Sequence, residues 1–322
     1  MGKTATEILI ERFLKEVDER EQMPWQRPYE MFNAFNYFSL EPYRGFNRIM
    51  LPFGEYMTKN QINKYNKEHN EDYRFQKGIR WFPVVFFKNE IKEVSKSTME
   101  ELFPDLDLTK EGYIGRDSIW SYFIKEGKYY KQRNILRYHE VADRHYFKNS
   151  KGEILPSRIE TGEVVITKSE PKKVIDRYVN AEGVKMIYDH KGVPCYVPRE
   201  DKVMLNPVIS SEDEWFSTAF HELGHSTGAK HRLNRVGITR EGVKSGDRRS
   251  VYAVEECIAE ITAYLCCAEC GIHDFKTSET MSYKNNLAYV QSWKKAVKDF
   301  GKEFFYICSQ ADKAFNRIMG ME

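Results

Sequence analysis

His221-Glu222-Leu223-Gly224-His225 follows directly on Trp215-Phe216-Ser217-Thr218-Ala219-Phe220, and this stretch decides the C-terminal fold. An apolar lead running into H-E-x-x-H predicts a helix whose two histidines, four residues apart, lie one turn above each other on one face. Both imidazoles can then reach a single Zn²⁺, with Glu222 beside the site as a general base. A catalytic zinc takes three protein ligands and keeps a further position open, so a third ligand has to come from elsewhere in the chain.

Two segments offer one. Onward from His225, the run Ser226-Thr227-Gly228-Ala229-Lys230-His231 completes the metzincin spacing H-E-x-x-H-x-x-G-x-x-H, with His231 as third ligand and Met281 near Tyr283 as a candidate Met-turn. The rival is Tyr252 to Leu265, a helical pattern placing Glu256 and Glu260 four apart among Ala, Ile, Cys and Leu. Carboxylates buried without a partner cost several kcal/mol, so this pair implies a cation or strong donors facing it. A zinc held by Glu256, with Glu260 accepting the free ring N–H of a zinc histidine, satisfies both acids at once. The reading therefore favours His221, His225 and Glu256 as ligands, Glu260 behind them and Glu222 as the catalytic base. Tyr252, Tyr264, Tyr196 and Arg232 are candidates for stabilising the oxyanion, and the sequence does not choose among them.

The 322 residues suffice for two domains, and 41% hydrophobic with 30% charged residues describes an ordinary folded chain. No apolar run approaches the roughly 20 residues that span a bilayer. The N-terminus, leading into a charged amphipathic helix over Ile8 to Val17, lacks the apolar core of a signal peptide, so a cytoplasmic location is expected, with no membrane partner. The six cysteines fall in helical or strand patterns and read as small buried hydrophobes in a reducing space. Cys267 and Cys270 have C-x-x-C spacing, but no second pair closes a zinc site.

Along the chain, helices are expected at Lys59 to His69, near Val174 to Ala181, at Asn285 to Phe300 and at Glu303 to Ile318. Strands are expected at Trp81 to Phe87, around Tyr138 to Phe147, at Val184 to Tyr188 and at Pro194 to Val197. Asp201 to Pro207 reads as an edge strand before the zinc helix. Residues 88–134 depart from this regularity and read as a charged, inserted surface region. Turn formers and charge between Asn149 and Lys173 place a linker at 151–172, between an N-terminal α+β module (1–150) and a mostly helical C-terminal domain with a small sheet (173–322). The overall class is α+β.

Net charge is only +2, and residues 1–150 hold 25 Lys and Arg against 23 Asp and Glu, so no domain is strongly basic. Locally, however, Lys59, Lys64, Lys67, Arg74, Lys77, Arg80 and Lys88 interleave with Tyr65, Tyr73 and Trp81. A similar surplus runs from Lys125 to Lys148 with Tyr129, Tyr130 and Tyr138. Stacking rings among cations are what single-stranded nucleic acid requires. The same composition also describes rings in a core and charges on a solvated face.

Several segments resemble a known family. Pro24-Trp25-Gln26-Arg27-Pro28, Tyr43-Arg44-Gly45-Phe46-Asn47, Met57-Thr58-Lys59-Asn60-Gln61 and Lys77-Gly78 before the Val84-Val85-Phe86 strand are similar to the N-terminal domain of ArdC-type antirestriction proteins, a domain shared with plasmid TraC-type primases. Tyr196-Val197-Pro198 with Asp201, the zinc motif continuing to Arg232-Leu233-Asn234-Arg235, Tyr252-Ala253, Glu255-Glu256, Ala259-Glu260 and Gly271-Ile272 resemble the zincin-like metallopeptidase domain that follows there. Tyr289 and Trp293 also fit.

The resemblance implies single-stranded DNA binding by the N-terminal domain, marked by Trp25, Tyr43, Arg44, Asn47, Lys77 and Arg80. It also implies a zinc-dependent peptidase-like domain in a protein of a mobile element, acting on a restriction component or a DNA-bound factor. Met57 stands where relatives commonly carry tryptophan, and 88–134 is longer than usual. The competing reading is a non-catalytic binder of single-stranded DNA in which zinc is structural. Glu222 between the histidines favours the enzyme, because a structural site needs no base.

Overall fold

The computed structural model describes residues 4–20, 34–117, 119–159, 169–207, 211–272, 301 and 303–321. In chain order, the first elements are α1 (Ala5–Arg20), β1 (Ala34–Asn36), α2 (Phe46–Met50), β2 (Gly54–Met57), α3 (Lys59–His69) and β3 (Arg74–Phe75). The expected helix at Lys59 to His69 begins and ends where local chemistry dictates. The Thr58 hydroxyl accepts from the Gln61 N–H, while the Gln61 side chain accepts from the Thr58 N–H, forming a capping box. At the other end Asn70 takes the left-handed conformation at φ 54°.

Next come β4 (Phe82–Val94), α4 (Lys96–Leu102), β5 (Gly112–Arg116), β6 (Ser121–Lys125), β7 (Lys128–Asp143) and β8 (Phe147–Lys148). The C-terminal elements are α5 (Pro171–Glu182), β9 (Lys185–Ile187), β10 (Cys195–Val197), β11 (Lys202–Met204), α6 (Glu212–Ser226), α7 (Val236–Thr239), α8 (Arg248–Glu269) and α9 (Glu303–Met319). The mixture is α+β, as expected.

Contacts divide the chain into Met1–Phe82 with Glu140–Glu322 as one unit and Pro83–His139 as a second, which differs from the sequence division into 1–150, 151–172 and 173–322. The physical reason lies in α9. Its Asp312 sits 2.9 Å from Arg48 of α2, both side chains buried, and its Phe304 packs on Phe13 and Phe46. The N-terminal helices α1 and α2 thus pack directly on the C-terminal α9. Part of the expected linker, 160–168, and the expected helix at Asn285 to Phe300 lie outside the described residues, as do Met281, Tyr283, Tyr289 and Trp293.

Within the larger unit β1 runs parallel to β2, and β2 pairs antiparallel with the end of β7 through Tyr56↔Asp143 and Met57↔Ala142. Tyr37, Met57, Ile62, Tyr73, Ala142, Phe147 and Leu155 form the core beneath. A second sheet has the order β10-β11-β9, with β10 antiparallel and β9 parallel to β11. The segment beginning at Asp201 is therefore central, not an edge; β10 and β9 hold the two edges. The order follows from topology: the crossover returning from β9 leaves β11 paired on both sides.

In the smaller unit, β5, β6 and β7 form an antiparallel meander, and β4 pairs with β7. Residues 88–134 are thus regular sheet and helix where the sequence suggested irregular surface. Charged side chains on both strand faces hide the two-residue period by which a strand is recognised.

Candidate metal centre and active-site cleft

Ser211 caps α6 by accepting from the Glu214 N–H, and Glu212, Asp213 and Glu214 load its first turn with the negative charge that a helix N-terminus favours. The helix then carries His221, Glu222 and His225 against α8. The two helices approach closely at Gly224, where an added Cβ would stand 3.2 Å from the Ala259 Cα and 3.4 Å from the Ala259 carbonyl oxygen and the Thr262 Cβ. A side chain there would push α8, and the acids it bears, away from the histidines.

Among the described residues, the grouping of donors able to hold a metal is His221, His225 and Glu256, whose ligand atoms lie within 4.8 Å of one another. The Nε2 atoms of His221 and His225 are 3.1 Å apart. Glu256 places Oε2 3.6 Å from His221 Nε2 and Oε1 3.4 Å from His225 Nε2. Two donors held at about 2.0–2.1 Å by one tetrahedral ion stand roughly 3.3 Å apart, so the donor set fits a zinc-sized divalent ion. Glu260 lies behind, its Oε2 3.6 Å from His221 Nδ1.

His225 has a counterpart that sequence reasoning did not single out. Its Nδ1 is 3.3 Å from Oε1 of buried Glu255, and Arg235 clamps that carboxylate with Nη2 at 2.6 Å and Nε at 2.9 Å. Arg235 also donates to Thr227 Oγ1 and the Gly224 carbonyl. The adjacent acids Glu255 and Glu256 meet His225 at opposite ring nitrogens, Nδ1 and Nε2, and only Glu256 also reaches His221. The signal available in the sequence was the Glu255-Glu256 pair itself.

His231, the metzincin alternative, does not join this grouping. Its ring is 59% exposed and stands 3.4 Å from Asp201. Gly228, read as the turn glycine of that pattern, instead makes room: a Cβ would meet Ile238 at 2.6 Å and the Arg235 guanidinium at 2.9 Å. Arg232 is fully enclosed and bonds Glu182, Asp201 and the Ser226 carbonyl, which removes it from the oxyanion candidates. Tyr264 is buried and is not among the residues that line the cleft.

The metal-capable residues line an open cleft of about 980 Å³, together with Glu222, Tyr196, Tyr252 and edge strand β10. Burial raises the Glu222 carboxyl above its ordinary pKa, although the Tyr196 backbone N–H donates to it. Burial acts to lower the pKa of His221, but Glu256 and Glu260 outweigh it and push the imidazole up to about 10. His225 is likewise raised, burial being outweighed by Glu255 and Glu256. Glu256 is held well below the usual range: burial opposes this, but His221, His225 and the Tyr252 hydroxyl all bond it.

Residues 173–310 match the model of a zincin-like metallopeptidase family. This C-terminal domain is zincin-like. Over the whole chain, the fold is that of an antirestriction ArdC protein from the R388 plasmid. Its metal-free crystal structure superposes with a TM-score of 0.63 at 24% identity, covering 98% of this chain and 97% of that one. Its Mn(II)-bound structure gives 0.61 at 21%, covering 99% and 98%.

The DNA primase TraC of Escherichia coli is 25% identical over 324 residues, 98% of this chain but 20% of the primase. A further E. coli TraC primase is 31% identical over 145 residues, 44% of this chain and 12% of its own length. The uncharacterized protein y4eC of Sinorhizobium fredii is 26% identical over 152 residues, 46% of this chain and 45% of its own. The chain spans less than half the length of each of these three relatives.

On the ArdC-like fold, the N-terminal candidates fall at three places. Tyr43 and Arg44 sit on the turn into α2 and Asn47 in its first turn, and the half-buried Tyr43 ring packs edge-on to Tyr56. Arg80 lies over the Phe82 ring at 4.9 Å, and Phe82 in turn packs on Tyr56. Lys77 is exposed in the turn before β4. Trp25 lies outside the described residues. The six cysteines are free, and no helix among the described residues is long and apolar enough to cross a membrane.

Proposed function

We propose that this chain is an antirestriction-type protein of a mobile element, working in the cytoplasm. In this reading it binds single-stranded DNA through its N-terminal region and hydrolyses peptide bonds at a zinc site made by His221, His225 and Glu256. The observation that carries the catalytic part is Glu222, a non-ligand carboxylate beside that donor set, facing an open cleft.

A divalent cation such as Zn²⁺ bound there supplies Lewis acidity, polarising a carbonyl and lowering the pKa of water to about 7. Glu222, its pKa raised by burial, takes the proton of the attacking water and passes it to the leaving amine. Glu255 and Glu260 orient the imidazoles through their Nδ1 atoms. The edge strand Cys195–Val197 presents main-chain groups along which an extended peptide can lie. The Tyr252 hydroxyl, at the rim and bonded to Glu256, is the donor best placed to meet a developing oxyanion.

The DNA-binding part is supported by likeness to TraC primases and by Arg80 lying over the Phe82 ring, in a row of rings that continues to Tyr56 and Tyr43. The peptide substrate is a restriction component or a DNA-bound factor. Glu222→Gln tests the reading. Retained metal and fold with loss of peptide hydrolysis and of protection against restriction supports it. Protection that survives the change supports the non-catalytic binder.

A further inference from the structure

The inserted unit 83–139 carries a feature apart from the metal site and from Trp25, Tyr43, Arg44, Asn47, Lys77 and Arg80, and it gives part of the Lys125 to Lys148 surplus a definite geometry. Strand register places Tyr113 of β5 opposite Phe123 of β6, and Phe123 opposite Tyr130 of β7. Residues directly opposite share a face, so three aromatic side chains form one row across three strands, spaced about 4.8 Å apart. Phe123 and Tyr130 are stacked at 5.4 Å with 20° between their planes, and Tyr113 is 65% exposed at the open end.

Cations bracket the row. On one side Arg116 pairs with Ser121; on the other Lys125 stands directly opposite Lys128. Like charges facing each other across a ladder are unfavourable. Their acidic neighbours, Glu126 for Lys125 and Glu93 for Lys128, are each 3.9 Å away, with all four side chains at least 60% exposed, and such pairs offset little. An anion bridging the two lysines relieves that repulsion. Rings in a row with positive charge on both flanks match bases that stack while phosphates follow the cations.

We propose that this face of the inserted unit is a stacking platform for single-stranded DNA, the Phe123–Tyr130 stack backing an exposed Tyr113 that takes a base while Arg116, Lys125 and Lys128 take phosphates. The proposal rests on the DNA-binding reading above and adds a second contact surface to it.

The test is fluorescence anisotropy of a labelled oligothymidylate with the full chain. Tyr113→Ala is expected to weaken binding about fivefold or more, with Tyr113→Phe retaining it, since one stacked base contributes about 1 kcal/mol or more. Lys125→Glu with Lys128→Glu is expected to weaken binding and flatten its salt dependence by about 1.4 in the log–log slope, two phosphates at about 0.7 each. Unchanged affinity in both variants, while Arg44→Glu with Lys77→Glu abolishes binding, overturns the platform and leaves the DNA reading intact. No binding by the wild-type chain removes both. Tighter binding of the matching RNA, or a Tyr113-dependent self-association without any effect on DNA, also overturns it.

Discussion

At the residue scale, Glu256 and His231 compete for one role, and their environments separate them. Glu256 faces both imidazole nitrogens, whereas His231 turns outward to Asp201. Elemental analysis of purified variants is expected to find stoichiometric metal in His231→Ala and a large loss in Glu256→Ala. Glu222→Gln is expected to keep the metal and lower peptide hydrolysis by about 10²-fold or more, the usual worth of a positioned general base.

Protonation sets a further expectation. In the metal-free protein both imidazoles bind protons more tightly than a free histidine, the His221 pKa pushed up to about 10 and that of His225 also raised. A cation must displace them, so metal affinity falls as pH is lowered, by about tenfold per unit for each proton released. Titration calorimetry in buffers of different ionisation enthalpy between pH 6 and 9 is expected to register that release. An affinity independent of pH would contradict this ligand set.

At the element scale, the crossing of α6 and α8 at Gly224 brings the histidines to the acids. Gly224→Val forces the helices apart and is expected to destabilise the protein by about 1–3 kcal/mol, visible as a lower Tm together with weakened metal binding. Much of this arrangement was legible in the sequence. The H-E-x-x-H helix and the acid helix each declared themselves by spacing; the burial argument that joined them describes Glu255, 2% exposed, and not Glu256 and Glu260, whose side chains are 36% and 42% exposed. The buried Arg235–Glu255 clamp was not legible, because a guanidinium 20 positions from its acid leaves no periodic trace. Nor was the central place of β11, since pairing order within a sheet depends on the crossover and not on a strand's own residues. The glycine at 228 completed a metal-binding pattern by spacing, yet its small size serves the packing of Arg235.

At the scale of the whole chain, α9 ties residues far apart in sequence into one unit. Arg48 and Asp312 are a nearly dry ion pair, and Arg48 also bonds Asn316 and lies over Phe315. Breaking a buried pair from one side leaves a charge stranded, at about 3–5 kcal/mol. Arg48→Met is accordingly expected to lower the Tm of the whole larger unit in a single transition, as followed by calorimetry. Separate melting of an N-terminal and a C-terminal part would count against a shared core. Sequence alone suggested two modules because composition changes near residue 150, whereas the packing that unites them is distributed over single apolar faces of α1, α2 and α9.

The edge strand at the cleft has a bearing on what can be accommodated there. Cys195, Tyr196 and Val197 are bracketed by Pro194 and Pro198, neither of which has an amide hydrogen to offer. A guest strand laid alongside therefore finds at most three residues to pair with, the middle one already donating its N–H to Glu222, and a blunt stop at each end. That short footprint admits a loop or an unfolded tail while refusing the long, continuous pairing by which exposed sheet edges recruit copies of themselves.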